Sequence, residues 1–566
     1  MILPGYIKDR YWLRSYRRDM PPEVSIPNVS LTELVQAGMK KYPNQTAMIY
    51  LGKEISHGEM QFQIDHFAAV LNNWGIRKGE TVALFLPNCP QFAYAYYGAL
   101  KIGAMVTAIS PMYTPPEAEF QLTDSRARTL VVEEGLWSRV EPVLHRPNLK
   151  EIVIVSLQGK KSTLPSSSAI HLFDDLQDGD LLTPPPVAIN PAEDVAMLQY
   201  TGGTTGLPKA AMLTHRNIVA NITQMSSYLD IMADINGVIR PTLVSVLPWY
   251  HIYAQTVDLS AILSRGGTVV ALPWFDVEGV LRTIQDTRAQ LFMGISSMFV
   301  ALLTHSKLRE YDLGSLVWCN NGASIIPGEV VRNFDKITGV RIVEGYGLSE
   351  ASPVTHTTSP HMIRKIGSVG PPIPNTLQGI IDPETCELLP PGQPGELIIH
   401  GPQIMKGYWQ RPQDTAEVFL DIEGQKWLRT GDIGVLDEDG YLTFLSRAKD
   451  LIKYKGHSVY SREIEEVLYQ HPAISQAAVI GVPDVRVGEN IKAFVVLKDE
   501  LHEKITEREI ISWARLRLAG YKYPRVVEFR REFPKSIVGK VLRRVLRDEE
   551  LNKTKPEVNQ KVYAQT

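Results

Sequence analysis

Short apolar runs alternate with segments of helical periodicity through most of the first 350 residues. The segments of helical period include 31–39 and 64–74. The apolar runs are TVALFLP (81–87), ARTLVVEE (127–134), EIVIVSL (151–157), LVSVLPW (243–249), GTVVALP (267–273) and QLFMGI (290–295). Strands that alternate with helices of this length form parallel βαβ layers. The alternation therefore predicts an α/β fold with two such layered subdomains.

The chain of 566 residues is too long for a single core, and its character changes along its length. Around 366–445, glycine, proline and short β-like stretches predict a small distorted β-barrel. After Arg447, two apolar strands and two amphipathic helices predict a compact α+β unit. We therefore expect an N-terminal domain over 1–447 and a small C-terminal domain over 448–566, with a hinge near Lys449.

Composition excludes several classes of protein. The net charge is −3, from 59 basic and 62 acidic side chains, which argues against nucleic acid as a partner. Three cysteines without metal-ligand spacing favour a reducing, cytoplasmic setting. The N-terminus lacks the apolar core of a signal peptide, and residues 92–110 fit a buried helix and strand better than a membrane span. A peripheral contact with the inner face of the membrane and a homodimer are left open.

The stretch YTGGTTGLPKAAMLTH (200–215) has the composition of a phosphate-binding loop. Its glycines let backbone N–H groups approach an anion, its threonines add hydroxyl donors, and Lys209 adds positive charge. The Walker pattern fails because Leu207 and Pro208 separate Gly206 from Lys209, and the GxGxxG pattern is absent. We expect Thr214 to cap a following helix and His215 to be structural.

Five further motifs follow this loop. They are SVLPWYHIYAQT (245–256), WCNNGASIIPGEVV (318–331), RIVEGYGLSEASP (341–353), WLRTGDIGVLDEDGYLTFLSRAKDLIKYKG (427–456) and FPKSIVGKVLRRVLRD (533–548). Together with the loop, and over essentially the whole chain, they resemble the adenylate-forming superfamily of acyl-CoA synthetases, adenylation domains and luciferases. The loop departs from the commonest form of that superfamily at Gly202, where serine is usual, and at Ala210, where glycine is usual.

The resemblance implies a site for ATP and Mg²⁺ and assigns residues to it. Thr201 and Glu350 would hold the metal, and Lys209, His251 and Lys540 would be catalytic. In addition to Thr201, the residues implied in binding the nucleotide or coenzyme A are Gly202, Gly203, Thr204, Thr205, Gly206, Gly322, Ala323, Ser324, Glu344, Gly345, Tyr346, Gly347, Ser349, Asp432, Arg447, Lys449, Lys453 and Gly456.

The resemblance also implies a two-step reaction. A carboxylate would attack ATP to give acyl-AMP and pyrophosphate, and the thiol of coenzyme A would then give acyl-CoA and AMP. The small C-terminal domain would be mobile and would rotate near Lys449 between the steps. The opening WLRSYRRDMPPEV (12–24) and the double-glycine loop resemble long-chain fatty acid–CoA ligases. Medium-chain or aryl acids, a luciferase-like or carrier-protein acceptor, and a catalytically silent binding protein are the alternatives.

Overall fold

The structure, a computed structural model, describes residues 2–143, 149–157, 164, 168–177, 184, 186–201, 208–484, 486–498, 505–535 and 541–553. The chain divides into two compact units. The first comprises Met1–Gly379, Ile398–Thr430 and Leu436–Leu442, and the second comprises Ile380–Leu397, Gly431–Val435 and Thr443–Thr566. The domain boundary expected after residue 447 stays a prediction.

The α-helices occur in both units. They are α1 (Gly5–Lys8), α2 (Leu31–Lys41), α3 (His57–Asn73), α4 (Pro90–Lys101), α5 (Pro115–Asp124), α6 (Trp137–Val140), α7 (His215–Asn236), α8 (Ile262–Ser264), α9 (Val277–Thr287), α10 (Ser296–Thr304), α11 (Gly328–Thr338), α12 (Pro412–Val418), α13 (Ser461–Tyr469), α14 (Glu507–Arg515) and α15 (Arg543–Lys553). A π-helix spans Ala254–Ala261. In the described part of the chain, every helix is too short or too polar to cross a membrane.

The strands alternate with these helices as the apolar runs predicted. They are β1 (Thr46–Tyr50), β2 (Lys53–Ser56), β3 (Thr81–Phe85), β4 (Met105–Ala108), β5 (Ala127–Glu133), β6 (Glu151–Val155), β7 (Ile170–Leu172), β8 (Val195–Thr201), β9 (Lys209–Thr214), β10 (Thr242–Ser245), β11 (Thr268–Ala271), β12 (Leu291–Gly294), β13 (Trp318–Asn321), β14 (Ile342–Gly347), β15 (Val354–Thr357), β16 (Leu377–Ile381), β17 (Leu388–Leu389), β18 (Gly395–His400), β19 (Gly407–Tyr408), β20 (Phe419–Ile422), β21 (Gln425–Leu436), β22 (Leu442–Arg447), β23 (Ile452–Tyr454), β24 (His457–Val459), β25 (Ile474–Asp484), β26 (Gly488–Leu497) and β27 (Val526–Phe529).

Two eight-stranded sheets form the core of the first unit. One has the order β15-β14-β13-β12-β10-β11-β1-β2, and its central pairs, from β14 to β1, are parallel. Antiparallel β15 and β2 close its edges. Ligand sites in such sheets lie beyond the carboxyl ends of the parallel strands. This is where the chain places the residues that follow β13 and β14.

The second sheet has the order β19-β9-β8-β4-β3-β5-β6-β7. Its parallel centre is fully buried at β3, where Leu84 and Phe85 have no exposed surface. Burial of each such side chain contributes about 1.5–3 kcal/mol to folding. The prediction of a buried helix and strand over residues 92–110 is confirmed by α4 and β4, which pack in this sheet's layer.

Strand β9 was not predicted. It lies between the glycine-rich loop and α7, and it pairs antiparallel with β8. The predicted cap of α7 is confirmed, because the Thr214 side chain accepts a hydrogen bond from the backbone N–H of Asn217. His215 is fully buried and its Nδ1 accepts a 3.2 Å hydrogen bond from the backbone N–H of Leu31, which supports the structural role expected for it.

The second unit contains the predicted α+β arrangement. Strands β25 and β26 form a long antiparallel pair, β27 lies parallel to β26, and α13 and α14 pack on this sheet. The face of α13 that carries Ile464 and Leu468 is fully buried in this core. Earlier in the chain, β16 with β17 and β20 with β21 form short antiparallel pairs in the predicted barrel-like region. The predicted fold class is confirmed.

Candidate active site

The two ends of the glycine-rich loop lie side by side. Thr201 ends β8 and faces Lys209, the first residue of β9, and its hydroxyl donates a 3.3 Å hydrogen bond to the Lys209 carbonyl oxygen. The antiparallel pairing therefore places a hydroxyl and an ammonium at one edge of the sheet. The predicted residues between them, Gly202, Gly203, Thr204, Thr205 and Gly206, lie outside the described residues.

The EGYG stretch also lies at the end of a strand, where β14 pairs antiparallel with β15. Tyr346 lies opposite His356 of β15, and the two rings meet edge to face with centroids 5.7 Å apart. Glu344 is buried and its carboxylate accepts a 3.2 Å hydrogen bond from the backbone N–H of Gly367. Tyr346 remains partly exposed.

Gly347 has no room for a side chain. An added Cβ would lie 2.2 Å from the carbonyl oxygen of Pro353, the residue just before β15. The close approach lets the chain turn at once into the short 3₁₀ helix Ser349–Ala351, which presents Ser349 and Glu350 beside Tyr346. The requirement for glycine here is thus a packing requirement of the turn.

Tyr408 connects Glu350 to Lys209, a link that sequence reasoning missed. Its hydroxyl donates a 2.8 Å hydrogen bond to Oε1 of Glu350, and the Lys209 Nζ lies 5.5 Å from the centre of its ring. Lys209 also forms an ion pair with Asp414. Neither Tyr408 nor Asp414 has a local signal, because one continues a short strand and the other falls in the first turn of α12, where an acidic residue is ordinary.

The turn after β13 packs against the aromatic side chain of Tyr253. An added Cβ at Gly322 would lie 2.7 Å from the Tyr253 ring, and Ala323 has a positive φ of 60°. The amide of Asn321 donates a 2.6 Å hydrogen bond to the Ser324 carbonyl oxygen, which closes the turn. A side chain at 322 would therefore clash with the Tyr253 ring.

The histidine motif lies next to this turn through Tyr253. The backbone N–H of Tyr253 donates a 3.3 Å hydrogen bond to Nδ1 of His251, and the Tyr253 hydroxyl donates to Asn320 at 3.0 Å. Desolvation lowers the pKa of His251 to about 4. His251 is therefore neutral near pH 7, with Nδ1 as the acceptor and the proton on Nε2.

In the second unit, Asp432 and Arg447 form a pair. Nε of Arg447 lies 2.8 Å from Oδ1 of Asp432, whose side chain is only 3% exposed. Both residues were predicted to contact the nucleotide, and the structure brings them together. Lys449 lies in the short 3₁₀ helix Ala448–Asp450, where burial first and then the charge of Arg447 lower its pKa.

Lys453 and Gly456 lie on a small hairpin of the second unit. The backbone N–H of Lys453 donates to Glu489 at 2.7 Å, and its side chain is half exposed. Lys455 and Gly456 both have positive φ values, 49° and 79°, as a two-residue hairpin turn requires. The remaining predicted catalytic residue, Lys540, lies outside the part of the chain that the structure describes.

Comparison with known proteins identifies the family of the chain. Residues 35–409 match the family described as AMP-binding enzyme, and residues 463–540 match its C-terminal domain. The chain is 39% identical to a long-chain-fatty-acid–CoA ligase of Bacillus subtilis, covering 95% of this chain and 98% of the relative. It is 35% identical to an Escherichia coli protein of the same name, with 95% and 98% covered. The chain therefore belongs to the AMP-binding enzyme family, and the predicted resemblance is confirmed.

A solved structure supports the fold assignment. The ATP-bound crystal structure of MatB from Rhodopseudomonas palustris is similar with a TM-score of 0.83 and 27% identity. The match covers 93% of this chain and all of that one. The roles that motif resemblance implies for individual side chains stay predictions.

Proposed function

We propose that this AMP-binding enzyme is an ATP-dependent long-chain fatty acid–CoA ligase. A fatty acid carboxylate attacks the α-phosphorus of ATP and releases pyrophosphate, and the thiol of coenzyme A then displaces AMP from the acyl-AMP. The observation that carries the proposal is the end-to-end similarity, at 39% identity, to a protein named as this ligase. The similarity to that ligase covers 95% of this chain and so extends over both family regions.

The first half-reaction joins two anions, so the site must neutralise charge and fix geometry. Lys209 supplies positive charge next to the glycine-rich loop. Glu350 and Thr201 would hold Mg²⁺. This ion neutralises phosphate charge when it is bound. The donor set fits this ion, because Glu350 is a partly exposed carboxylate whose Oε1 is already oriented by the Tyr408 hydroxyl.

The proposal assigns adenosine to the aromatic and small residues of the site. The partly exposed ring of Tyr346 would stack on adenine, and the turn Gly322–Ser324 would pack along it. Ser349 would contact the α-phosphate. The nearly buried Asp432 carboxylate would accept hydrogen bonds from the ribose hydroxyls, with Arg447 holding it in place. His251, neutral near pH 7, would orient the fatty acid carboxylate by hydrogen bonding rather than by charge.

The smaller C-terminal domain would contribute to both half-reactions. Lys540 would bridge the carboxylate and the α-phosphate during adenylation, and rotation near Lys449 would then present Lys453 and Gly456 to the pantetheine arm of coenzyme A. A cytoplasmic location, peripheral contact with the inner face of the membrane, and a homodimer are further parts of the proposal. The first is favoured by the sequence, which has only three cysteines and no metal-ligand spacing among them.

The test is fatty-acid-dependent pyrophosphate release, measured with and without coenzyme A across acids of different chain length. We expect release that depends on a long-chain acid and an acyl-CoA product only when coenzyme A is present. A Glu350→Gln variant keeps the side-chain shape and should lose the release, whereas Glu193→Gln, at an exposed ion pair with Lys406, should not. Release that never leads to a thioester would refute the ligase assignment.

A further inference from the structure

A short segment far along the chain is fixed against the strand that carries Lys209. It runs from Tyr408 to Asp414 and is called the 408–414 segment here. Tyr408 pairs with Ala211 of β9, and the backbone N–H of Trp409 donates a 2.8 Å hydrogen bond to the Ala210 carbonyl oxygen. The backbone N–H of Tyr408 is also bonded to the Thr415 hydroxyl at 2.9 Å. The segment is therefore fixed to β9 at its start, and the bond to Thr415 ties that start to the residue just after its end.

Tyr408 uses its hydroxyl to orient Glu350. Tyr408 is only 9% exposed, and its phenolic O–H is a hydrogen-bond donor. The 2.8 Å bond engages Oε1 of Glu350. Of the two carboxylate oxygens, Oε2 is then the one free of this bond and suited to a hard cation.

Asp414 places its carboxylate on the ammonium of Lys209. The two side chains are 27% and 32% exposed, so solvent screens the pair only in part. A polyphosphate that binds Lys209 meets a like charge at this position and competes with it for the same ammonium. The pair therefore opposes the binding of an anionic ligand to Lys209.

We propose that the 408–414 segment positions the charged groups of the nucleotide site: Asp414 is a counter-ion that ATP phosphates displace from Lys209, and Tyr408 aligns Glu350 for Mg²⁺. This inference rests on the proposed function, because it takes Lys209 and Glu350 as the groups that meet phosphate and metal. It predicts opposite effects for two conservative substitutions in one segment, which a general loss of structure would not produce.

The first experiment measures binding of α,β-methylene-ATP with Mg²⁺ to the full chain by calorimetry. Asp414→Asn removes the competing charge and keeps the shape, so the dissociation constant should fall about two- to fivefold, the range of a partly exposed ion pair. An unchanged or larger dissociation constant would overturn the counter-ion assignment.

The second experiment titrates Mg²⁺ at a fixed concentration of the same analogue. Tyr408→Phe removes only the hydroxyl, and the Mg²⁺ concentration at half-saturation should rise about tenfold or more, as expected for one hydrogen bond to a carboxylate. Binding of the metal-free analogue should not change. An unshifted Mg²⁺ titration would overturn the positioning role of Tyr408.

The control is Glu193→Gln, which removes the partner of Lys406 just before the segment and should leave both titrations as in the wild type. Thermal unfolding of each variant checks that the fold is kept. Because these readouts are binding equilibria, they separate the two proposals. A protein that binds the analogue with the expected shifts but makes no acyl-CoA would refute the ligase function alone.

Discussion

Gly347 provides a strict test of how the site is built. An alanine Cβ at this position would lie 2.2 Å from the carbonyl oxygen of Pro353 and 2.8 Å from its carbonyl carbon, whereas ordinary contact begins at 3.4 Å. Both opposing atoms belong to the backbone, so no side-chain rotation relieves the clash. The strands must separate, and the 3.0 Å hydrogen bond from Leu348 N–H to the Pro353 oxygen lies directly in the strained region.

The expected cost follows from the size of this displacement. A shift of about 1 Å at Tyr346, Ser349 and Glu350 should lower kcat/KM for MgATP about 10²-fold, the usual effect of a misplacement of this size. That corresponds to about 2.7 kcal/mol of lost transition-state stabilisation. The assay is the initial rate of fatty-acid-dependent pyrophosphate release at varied MgATP concentration.

The matched control is Gly5→Ala, where the new Cβ would lie 4.0 Å from the nearest side-chain atom. It should leave kcat/KM unchanged. Thermal unfolding of both variants distinguishes a displaced turn from a failure to fold. A Gly347→Ala enzyme that folds and stays within about twofold of the wild type would refute the view that close packing at this turn positions the site.

Three further predictions concern other residues. Asp432→Asn should raise KM for MgATP about tenfold or more, because a hydrogen bond to a charged group contributes about 1.5–3 kcal/mol. Steady-state kinetics would test this, with Asp439→Asn as an exposed control. Lys540→Ala should slow adenylation about 10²-fold but largely spare transfer from supplied acyl-AMP to coenzyme A; equal losses would contradict a role in the first step alone. Desolvation lowers the pKa of fully buried His356 to about 4, below the ordinary 6.5 of the unfolded chain, so stability is complete above pH 6.5 and is lost as the pH falls toward 4. His356→Gln should flatten the decline of the unfolding temperature over that range, and an unchanged pH profile would count against this assignment.

Features that depend on local pattern were predictable from the sequence. The apolar runs became β3, β5 and β6 because their side chains are buried on both faces of a parallel sheet. Thr214 caps α7 because a hydroxyl before a helix satisfies free backbone donors. Motif spacing likewise brought Tyr346 and Glu350 to one turn at a strand end.

Contacts between distant segments were not predictable. Asp414 pairs with Lys209 from 205 positions away, and Tyr408 reaches Glu350 across 58 positions. Both contacts exist because β19 joins the edge of the second sheet beside β9. β19 has two residues and β9 has six, and neither has a periodic pattern long enough to predict this pairing. The Tyr253 ring over Gly322 is a similar case, since it depends on how the turn after β13 meets the residues before the π-helix.

The central claim is that the chain activates a long-chain fatty acid with ATP and passes it to coenzyme A. The most direct measurement is mass-spectrometric quantification of acyl-CoA, AMP and pyrophosphate formed by the full chain from a long-chain acid, MgATP and coenzyme A. We predict that the three products form in equal amounts and that acyl-CoA is absent when coenzyme A is withheld. Pyrophosphate and acyl-AMP without acyl-CoA, or no product with any long-chain acid, would contradict it.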